Sequence, residues 1–218
     1  MRNHGFLLCL VAGLALAGNG CKTAVEPSPE PGVLRVVFKS SDADSSIIVQ
    51  NDTSRFSRWD NFNILVSQCR LYAGENYTYV YNNPSSDRKA DDTVNALARE
   101  WLNGIPITTQ DSDSITVRNS RFRSFVIFES YVPPGSYQKL TLSVTASEME
   151  FFIPKHYLNP VALPPGVTPT MEFPVSVTVN EQGVTEVTLE LSPYKSLRRY
   201  QDQFYFERKL VVKQVRLL

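Results

Sequence analysis

The chain has 218 residues, of which 42% are hydrophobic and 20% are charged, and its 22 basic residues balance 22 acidic ones. This composition is typical of a globular protein and excludes an intrinsically disordered chain. A net charge of zero gives no general attraction to nucleic acid, so we expect no nucleic-acid partner.

The first 20 residues have the layout of a secretory signal peptide. Arg2 and His4 give a weakly basic start, and residues 5–17 then form an uninterrupted uncharged run. This run is too short to cross a hydrocarbon layer of ~30 Å as a permanent helix, and no later segment is long and apolar enough. We therefore expect residues 1–20 to form a signal helix that is cleaved on export.

The end of this leader indicates lipid attachment. Leu16-Ala17-Gly18-Asn19-Gly20-Cys21 resembles the lipobox of bacterial lipoproteins, in which small residues precede a cysteine that becomes the first residue of the mature chain. The resemblance implies a diacylglycerol thioether on Cys21 and a further acyl chain, such as palmitate, on its amine. Two or more chains give durable anchoring. Gly18 stands where an aliphatic residue is usual, so ordinary cleavage beside an incidental cysteine is the alternative.

Residues 21–32 are predicted to form a Pro-rich tether. Pro27, Pro29 and Pro31 alternate with other residues, a pattern typical of an extended, semi-rigid spacer of about 3 Å per residue. Lys22, and not an aspartate, follows the cysteine, so nothing favours retention in an inner membrane. We expect a lipid-anchored protein of the bacterial cell envelope, on the outer membrane if two membranes are present, at its periplasmic or surface face.

Residues 33–218 are predicted to form one all-β domain, an antiparallel β-sandwich. Apolar and other residues alternate along segments at 34–39, 62–71, 137–144, 173–179 and 184–191. The turn residues 180–183, which end in a glycine, predict a hairpin between the last two of these segments. Short strands at this spacing favour a sandwich over a parallel α/β fold, which needs long helical crossovers.

One segment departs from the strand pattern. Val94, Leu97 and Trp101 recur at helical spacing between residues 92 and 104. Asp92 is a suitable N-cap, and Gly104 can supply a left-handed stop. The sequence therefore predicts one short helix whose apolar stripe closes an open edge or end of the sandwich.

A turn-and-strand element suggests a family. Pro133-Pro134-Gly135-Ser136-Tyr137 precedes an alternating strand; the glycine supplies a turn, and the tyrosine begins the strand with its ring packed inward. With the strands near residues 34–40 and 62–72, this element is similar to a family of bacterial lipoproteins catalogued only as a domain of unknown function. The resemblance implies a prealbumin-like or carboxypeptidase-regulatory-like sandwich over residues 33–218, with an Ig-like sandwich as the alternative, and brings no catalytic residues.

Two aspartates, Asp42 and Asp44, follow the first predicted strand and offer oxygen ligands of the kind that calcium prefers. An Asp-Ala-Asp sequence in a serine-rich stretch is also a common turn former. A calcium site and a plain turn are therefore both open. No cluster of histidines or cysteines predicts another metal site.

Aromatic residues indicate possible glycan contacts. Tyr77, Tyr79 and Tyr81 are predicted to project from one face of a strand, and Tyr157 precedes a proline-rich loop. Exposed aromatic rings bind the faces of sugars. The alternative is that the tyrosines form a cross-strand ladder that covers the sandwich.

Groups that could support catalysis are few in the mature body. His156 is its single histidine, and no Gly-x-Ser-x-Gly nucleophile elbow occurs. Cys69 alternates with apolar neighbours and is expected to be a small buried hydrophobe, with a reactive thiol as the alternative. The basic residues between Lys195 and Leu218 predict a solvated strand face, or a contact with anionic lipid or an acidic partner.

We therefore expect a membrane-anchored, exported lipoprotein whose β-sandwich is a non-catalytic interaction or structural module. A glycan-binding surface lipoprotein is the second hypothesis, and an enzyme with paired carboxylates is the third. No cofactor is expected beyond the covalent diacylglycerol and acyl chain on Cys21. The expected partners are the membrane, through this anchor, and an envelope protein or glycan.

Overall fold

β-Strands make up most of the described part of the protein. The computed structural model describes residues 28–42, 47–49, 52–54, 60–82, 93–107, 120–151 and 157–218, with side chains except at 47–49, 52–54, 146–147 and 157. The elements are β1 (Gly32–Ser40), β2 (Ile47–Val49), β3 (Asp52–Ser54), β4 (Asn61–Ala73), β5 (Asn76–Asn82), β6 (Thr93–Asn95), β7 (Arg99–Trp101), β8 (Ser120–Phe122), β9 (Ser124–Val132), β10 (Gly135–Phe151), β11 (Tyr157–Ala162), β12 (Thr170–Val179), β13 (Val184–Leu191), α1 (Pro193–Ser196), β14 (Leu197–Tyr200), β15 (Gln203–Phe206) and β16 (Leu210–Leu217). None of the helical residues within these ranges forms a segment that is long and apolar enough to cross a bilayer.

Two main sheets pack as a sandwich, which confirms the predicted all-β fold. The smaller sheet has the strand order β16-β13-β1-β9. The larger has the order β3-β2-β14-β15-β11-β10-β4-β5, with β12 also paired to β10 and β6 to β4. The pairs β1–β13, β11–β15 and β14–β2 are parallel, so both sheets are mixed and not antiparallel throughout.

A single apolar cluster lies between the sheets. In β1, Leu34, Val36 and Phe38 are at most 2% exposed, while the residues between them are half-buried. β4 and β13 largely follow the same alternation, and β10 adds further buried apolar side chains. Because successive side chains in a strand point to opposite faces, this burial also determines which residues face outward.

The chain passes from the smaller sheet to the larger between β9 and β10. Val132, the last residue of β9, lies opposite Gly32, and two prolines then lead to β10. The hydroxyl of Tyr137 donates a hydrogen bond to the Pro133 carbonyl oxygen at 2.6 Å, and its ring is buried, as the sequence predicts. Burial raises the pKa of Tyr137 above its ordinary value.

Gly32 is required at the start of β1 because another backbone segment lies against it. A Cβ atom at this position would come within 2.2 Å of the Asn180 carbonyl oxygen and 2.6 Å of a methyl carbon of Val179. No side chain tolerates contacts of this length. The connection between β12 and β13 therefore packs directly on the beginning of β1.

The predicted hairpin at residues 180–183 is wrong. β12 pairs with β10 in the larger sheet, whereas β13 pairs with β1 and β16 in the smaller one. The turn, in which Gln182 has a φ of 55°, thus carries the chain from one sheet to the other. Alternation does not distinguish this crossing from a hairpin, because both strands bury one face in the same core.

The helix predicted between residues 92 and 104 is also wrong. Residues 93–95 form β6, which pairs with β4, and residues 99–101 form β7, which pairs with β8. The side chain of Asn95 explains the outcome: its Oδ1 accepts hydrogen bonds from the N–H groups of Phe62 at 3.1 Å and Leu97 at 3.0 Å. Asparagine side chains that bind nearby backbone in this way compete with helix. The one described helix is the single turn α1.

The outer face of the smaller sheet carries a row of alternating charges. Glu129, Arg35, Glu186 and Arg216 lie side by side on β9, β1, β13 and β16. Arg35 Nε is 2.6 Å from Glu129 Oε2, and Arg216 Nη2 is 2.7 Å from Glu186 Oε1. Glu186 is the most buried of the four, with 8% of its side chain exposed. Each charge in this row therefore has a partner of opposite sign.

Replacing Glu186 with alanine is expected to destabilise the fold. The Glu186→Ala change removes the acceptor of the Arg216 hydrogen bond and the carboxylate that lies 3.8 Å from Arg35 Nη1. Hydrogen bonds to charged groups contribute about 1.5–3 kcal/mol each, less where solvent can replace them. We expect the free energy of unfolding to fall by about 1–3 kcal/mol, measured by urea denaturation. The matched Glu129→Ala change, at an exposed position on the edge strand β9, is expected to lower the free energy of unfolding by less than ~1 kcal/mol. Equal losses in both variants would contradict this account.

Candidate functional site

The outer face of the larger sheet carries aromatic, amide and basic side chains in aligned rows. The rows cross β12, β10, β4 and β5 in that order, as the strand register requires. We call this surface the tyrosine face, and its rows are Pro174, Lys139, Tyr72, Tyr77; then Glu172, Thr141, Arg70, Tyr79; and then Thr170, Ser143, Gln68, Asn82. Leu71 and Leu140, which alternate with these residues, are buried in the core.

Two exposed tyrosine rings and a half-buried third lie together on this face. Tyr77 and Tyr79 are 47% and 42% exposed, and their ring centroids lie 5.3 Å apart with the planes at 90°. The ring of Tyr72 lies 5.4 Å from that of Tyr77. A side-chain hydrogen bond with Tyr79 raises the pKa of Tyr77 above its ordinary value. The rings therefore support one another and remain open to solvent.

Arg70 lies among these rings, and none of the described carboxylates pairs with it. Its guanidinium carbon is 4.8 Å from the centroid of Tyr77 and 4.9 Å from that of Tyr79, within the range of cation–π attraction. A side-chain hydrogen bond with Tyr72 raises the pKa of Arg70. Its Nε is buried and has no hydrogen-bond partner, and no carboxylate in the described ranges pairs with it. Aromatic rings thus hold this charge, and no acid among the described residues neutralises it.

Lys139 and two amides complete the polar part of the tyrosine face. Lys139 Nζ lies 4.3 Å from the centroid of Tyr72 and 3.5 Å from Glu172 Oε1. In the third row, Gln68 Nε2 donates to Asn82 Oδ1 at 3.0 Å. The rows defined above contain two cations, Lys139 and Arg70, and one carboxylate, Glu172. The surface is therefore weakly basic and rich in hydrogen-bonding groups.

The tyrosine face lies toward the end of the sandwich at which β1 begins. Gly32 is opposite Val132 at the end of β9, and β10 starts three residues later at Gly135. Lys139 is then paired with Tyr72, near the hairpin between β4 and β5. The row that contains Tyr77 is therefore at the same end of the domain as the predicted tether.

The structure brings together only two of the four tyrosines predicted to contact glycan. Tyr77 and Tyr79 share the outer face, but a register shift between Cys69 and Arg70 places Tyr81 opposite Cys69. Tyr81 stacks on Phe128 of the smaller sheet, with 5.4 Å between centroids and 4° between planes. The prediction that three tyrosines share one face is wrong, because a β-bulge adds a residue to one strand and reverses the alternation.

Tyr157 is also remote from the tyrosine face. It pairs with Phe151 at the far end of β10, whereas Lys139 is near the beginning of that strand. The side chain of Tyr157 lies outside the described part of the protein. A single glycan surface that contains all four predicted tyrosines is therefore not formed.

Sequence reasoning missed Arg70, Tyr72 and Lys139. All three alternate correctly with buried residues of β4 and β10, so the sequence does indicate that they face outward. Their juxtaposition depends on the register between β4, β5 and β10, which alternation does not specify.

Asp42, one of the two aspartates of the calcium hypothesis, makes its contacts within the fold. Asp42 Oδ1 accepts the N–H of Phe122 at 2.8 Å, and its Oδ2 is 3.1 Å from Lys39 Nζ. Asp44 lies outside the described residues. Within those residues, no group of three or more His, Cys, Asp or Glu side chains is arranged to hold a metal ion. The contacts of Asp42 are those of a residue that closes a turn onto β8.

The basic segment near the C-terminal end makes local contacts. Arg198 pairs with Glu207 at 2.9 Å and Lys213 with Glu190 at 3.3 Å. Arg208 donates to the carbonyl oxygen of Pro169 at 2.6 Å, and burial lowers its pKa. These contacts favour the predicted solvated strand face over a basic surface reserved for lipid.

Cys69 is buried, as the sequence predicts, and burial raises the pKa of its thiol well above the ordinary value. Cys21 lies outside the described residues, so lipid attachment there stays a prediction, and His156 lies outside them as well. No family model, no curated protein and no solved structure matches the chain.

The Cys69 thiol is expected to be protected in the folded protein. Because the thiolate is the reactive form, each unit of pKa elevation lowers its population about tenfold, and burial further blocks the reagent. An aromatic disulfide reagent at pH 8 should react at least about a hundredfold faster after denaturation in guanidinium than before. Rapid reaction of the native mature protein would show that Cys69 is accessible, and a Cys69→Ser variant identifies its signal.

Proposed function

We propose that this protein is an exported bacterial lipoprotein, held to a membrane through acyl chains on Cys21. The observation that carries the proposal is the order of features along the chain. An apolar leader ends at small residues and Cys21, a proline-rich spacer follows, and β1 begins at Gly32. The order of leader, lipidated cysteine, extended tether and folded domain is what a membrane-anchored module requires.

The cell envelope is the proposed location of this module. Lys22 after the cysteine leaves the protein free to reach an outer membrane where the cell has one. The lipobox and the turn at residues 133–137 support a bacterial lipoprotein family of prealbumin-like or carboxypeptidase-regulatory-like sandwiches as the proposed relatives.

We assign the domain a non-catalytic binding or structural role. The groups gathered on the tyrosine face are rings, amides and cations, which suit recognition. Its one carboxylate, Glu172, is close to Lys139, so the face lacks the pair of acids that glycoside hydrolysis needs. An envelope protein or a glycan is the proposed partner.

Glycan binding is the second proposed function, and the exposure of Tyr77 and Tyr79 favours it. Both rings project from a rigid sheet at nearly half of their full exposure. An aromatic face can pack against the C–H groups of a sugar ring, while neighbouring amides bind its hydroxyls. The arrangement offers both kinds of contact within one surface.

Loss of Cys21 is expected to release the protein from the membrane. Cys21→Ser removes the thiol that accepts diacylglycerol, so incorporation of labelled palmitate should stop and the protein should move to the soluble fraction. The measurements are autoradiography of the immunoprecipitated protein and membrane fractionation.

Cys9→Ser is the matched control, because it changes a thiol within the predicted leader. This variant should retain both the label and the membrane association. Unchanged palmitate labelling in Cys21→Ser would disprove the lipoprotein proposal.

A further inference from the structure

We infer that the tyrosine face binds acidic saccharides, with Tyr77 and Tyr79 contacting the sugar rings and Arg70 attracting the acid group. This inference rests on the glycan-binding function proposed above and adds the charge of the ligand. It also adds Arg70, Tyr72 and Lys139 to the site.

The ring geometry suits a saccharide more than a flat aromatic ligand. Tyr77 and Tyr79 stand at 90° to each other with centroids 5.3 Å apart. One ring can therefore lie under a pyranose while the other contacts its side. A flat partner would stack on only one of two perpendicular rings.

The charge of Arg70 favours an anion. On the smaller sheet, Arg35 and Arg216 are each within 3.0 Å of a carboxylate oxygen, as the 2.6 and 2.7 Å distances show. Arg70 occupies a comparable outward position on the larger sheet, yet no acid in the described ranges pairs with it. A carboxylate, sulfate or phosphate on a sugar would supply the missing charge.

Lys139 adds a second cation that a ligand can recruit. Its contact with Glu172 is 3.5 Å long, and Glu172 is 64% exposed. Exposed ion pairs of this kind contribute little to stability, so exchange of Glu172 for a ligand anion costs little. Lys139 and Arg70 lie in adjacent rows, so one or two acidic sugar residues can reach both.

The third row supplies groups for sugar hydroxyls. Gln68 and Asn82 share one hydrogen bond of 3.0 Å, which leaves amide donors and acceptors for a ligand. Thr170 and Ser143 extend this row across β12 and β10. A hydroxyl-rich, anionic chain can thus contact rings and cations in the first two rows and amides in the third.

The test is binding of the full-length, detergent-solubilised lipoprotein to an array of neutral and acidic glycans. We expect signals confined to glycans that carry carboxylate, sulfate or phosphate, and weaker binding as ionic strength rises from about 0.05 to 0.5 M. Oligogalacturonate and its methyl ester form the sharpest pair, because the same sugar backbone carries a carboxylate in one and an uncharged ester in the other.

Variants separate the roles of ring and charge. Tyr77→Ala and Tyr79→Ala should abolish detectable binding, and Arg70→Gln should weaken it by about tenfold, the scale of one charge-assisted hydrogen bond. Arg70→Lys should retain part of the affinity because it keeps the charge. Tyr131→Ala and Lys213→Gln are matched controls on the smaller sheet, and we expect both variants to bind glycan as the natural protein does. Melting temperatures establish that each variant folds.

The outcomes distinguish failure of the acidic-ligand inference from failure of the glycan-binding function on which it rests. Binding to neutral glycans at equal strength, lost in Tyr77→Ala, would overturn the acidic ligand and leave the glycan function standing. An array without signal would overturn both. Unchanged affinity in a folded Arg70→Gln variant would overturn the role of Arg70, and the lipid anchor is tested independently by palmitate labelling.

Discussion

The structure depends on the burial of one face of each sheet in a common apolar core. Leu34, Val36 and Phe38 of β1 are part of the same buried cluster as Leu71 of β4 and Leu140 of β10. Because a strand alternates its side chains, the demand for an apolar inner face leaves every second residue outside that core. The two outer faces are therefore where the chain can vary its chemistry without loss of the fold.

The two outer faces use that freedom differently. On the smaller sheet, Glu186 lies between Arg35 and Arg216, so the charged side chains pair with one another across β1, β13 and β16. On the larger sheet, Arg70 is held by the rings of Tyr77 and Tyr79. The first arrangement links neighbouring strands, including the parallel pair β1–β13. The arrangement on the larger sheet leaves a cation and two rings available to a partner.

The sequence predicts which residues face inward, but not which strands meet. Alternation identifies the buried side of β1 and the outward position of Tyr77 and Tyr79, because the period is a property of each strand alone. It fails at Tyr81, where a bulge reverses the faces, and at residues 180–183, where a turn crosses between sheets. Helical spacing fails at Asn95, whose side chain binds the backbone of Phe62, a residue distant in sequence. Each failure has the same cause: a contact between segments outweighs a local preference.

The position of the tyrosine face limits what the proposed lipoprotein can bind. From Cys21 to Gly32 an extended spacer of about 3 Å per residue reaches roughly 30 Å. The Tyr77 row lies at the end of the sandwich where β1 begins, so in the proposed arrangement it is at the end of the domain that carries the tether. A ligand of the tyrosine face therefore has to be reached from the tether end of the domain. An acidic saccharide of the envelope satisfies this condition, and a partner that approaches only the far end of the domain does not.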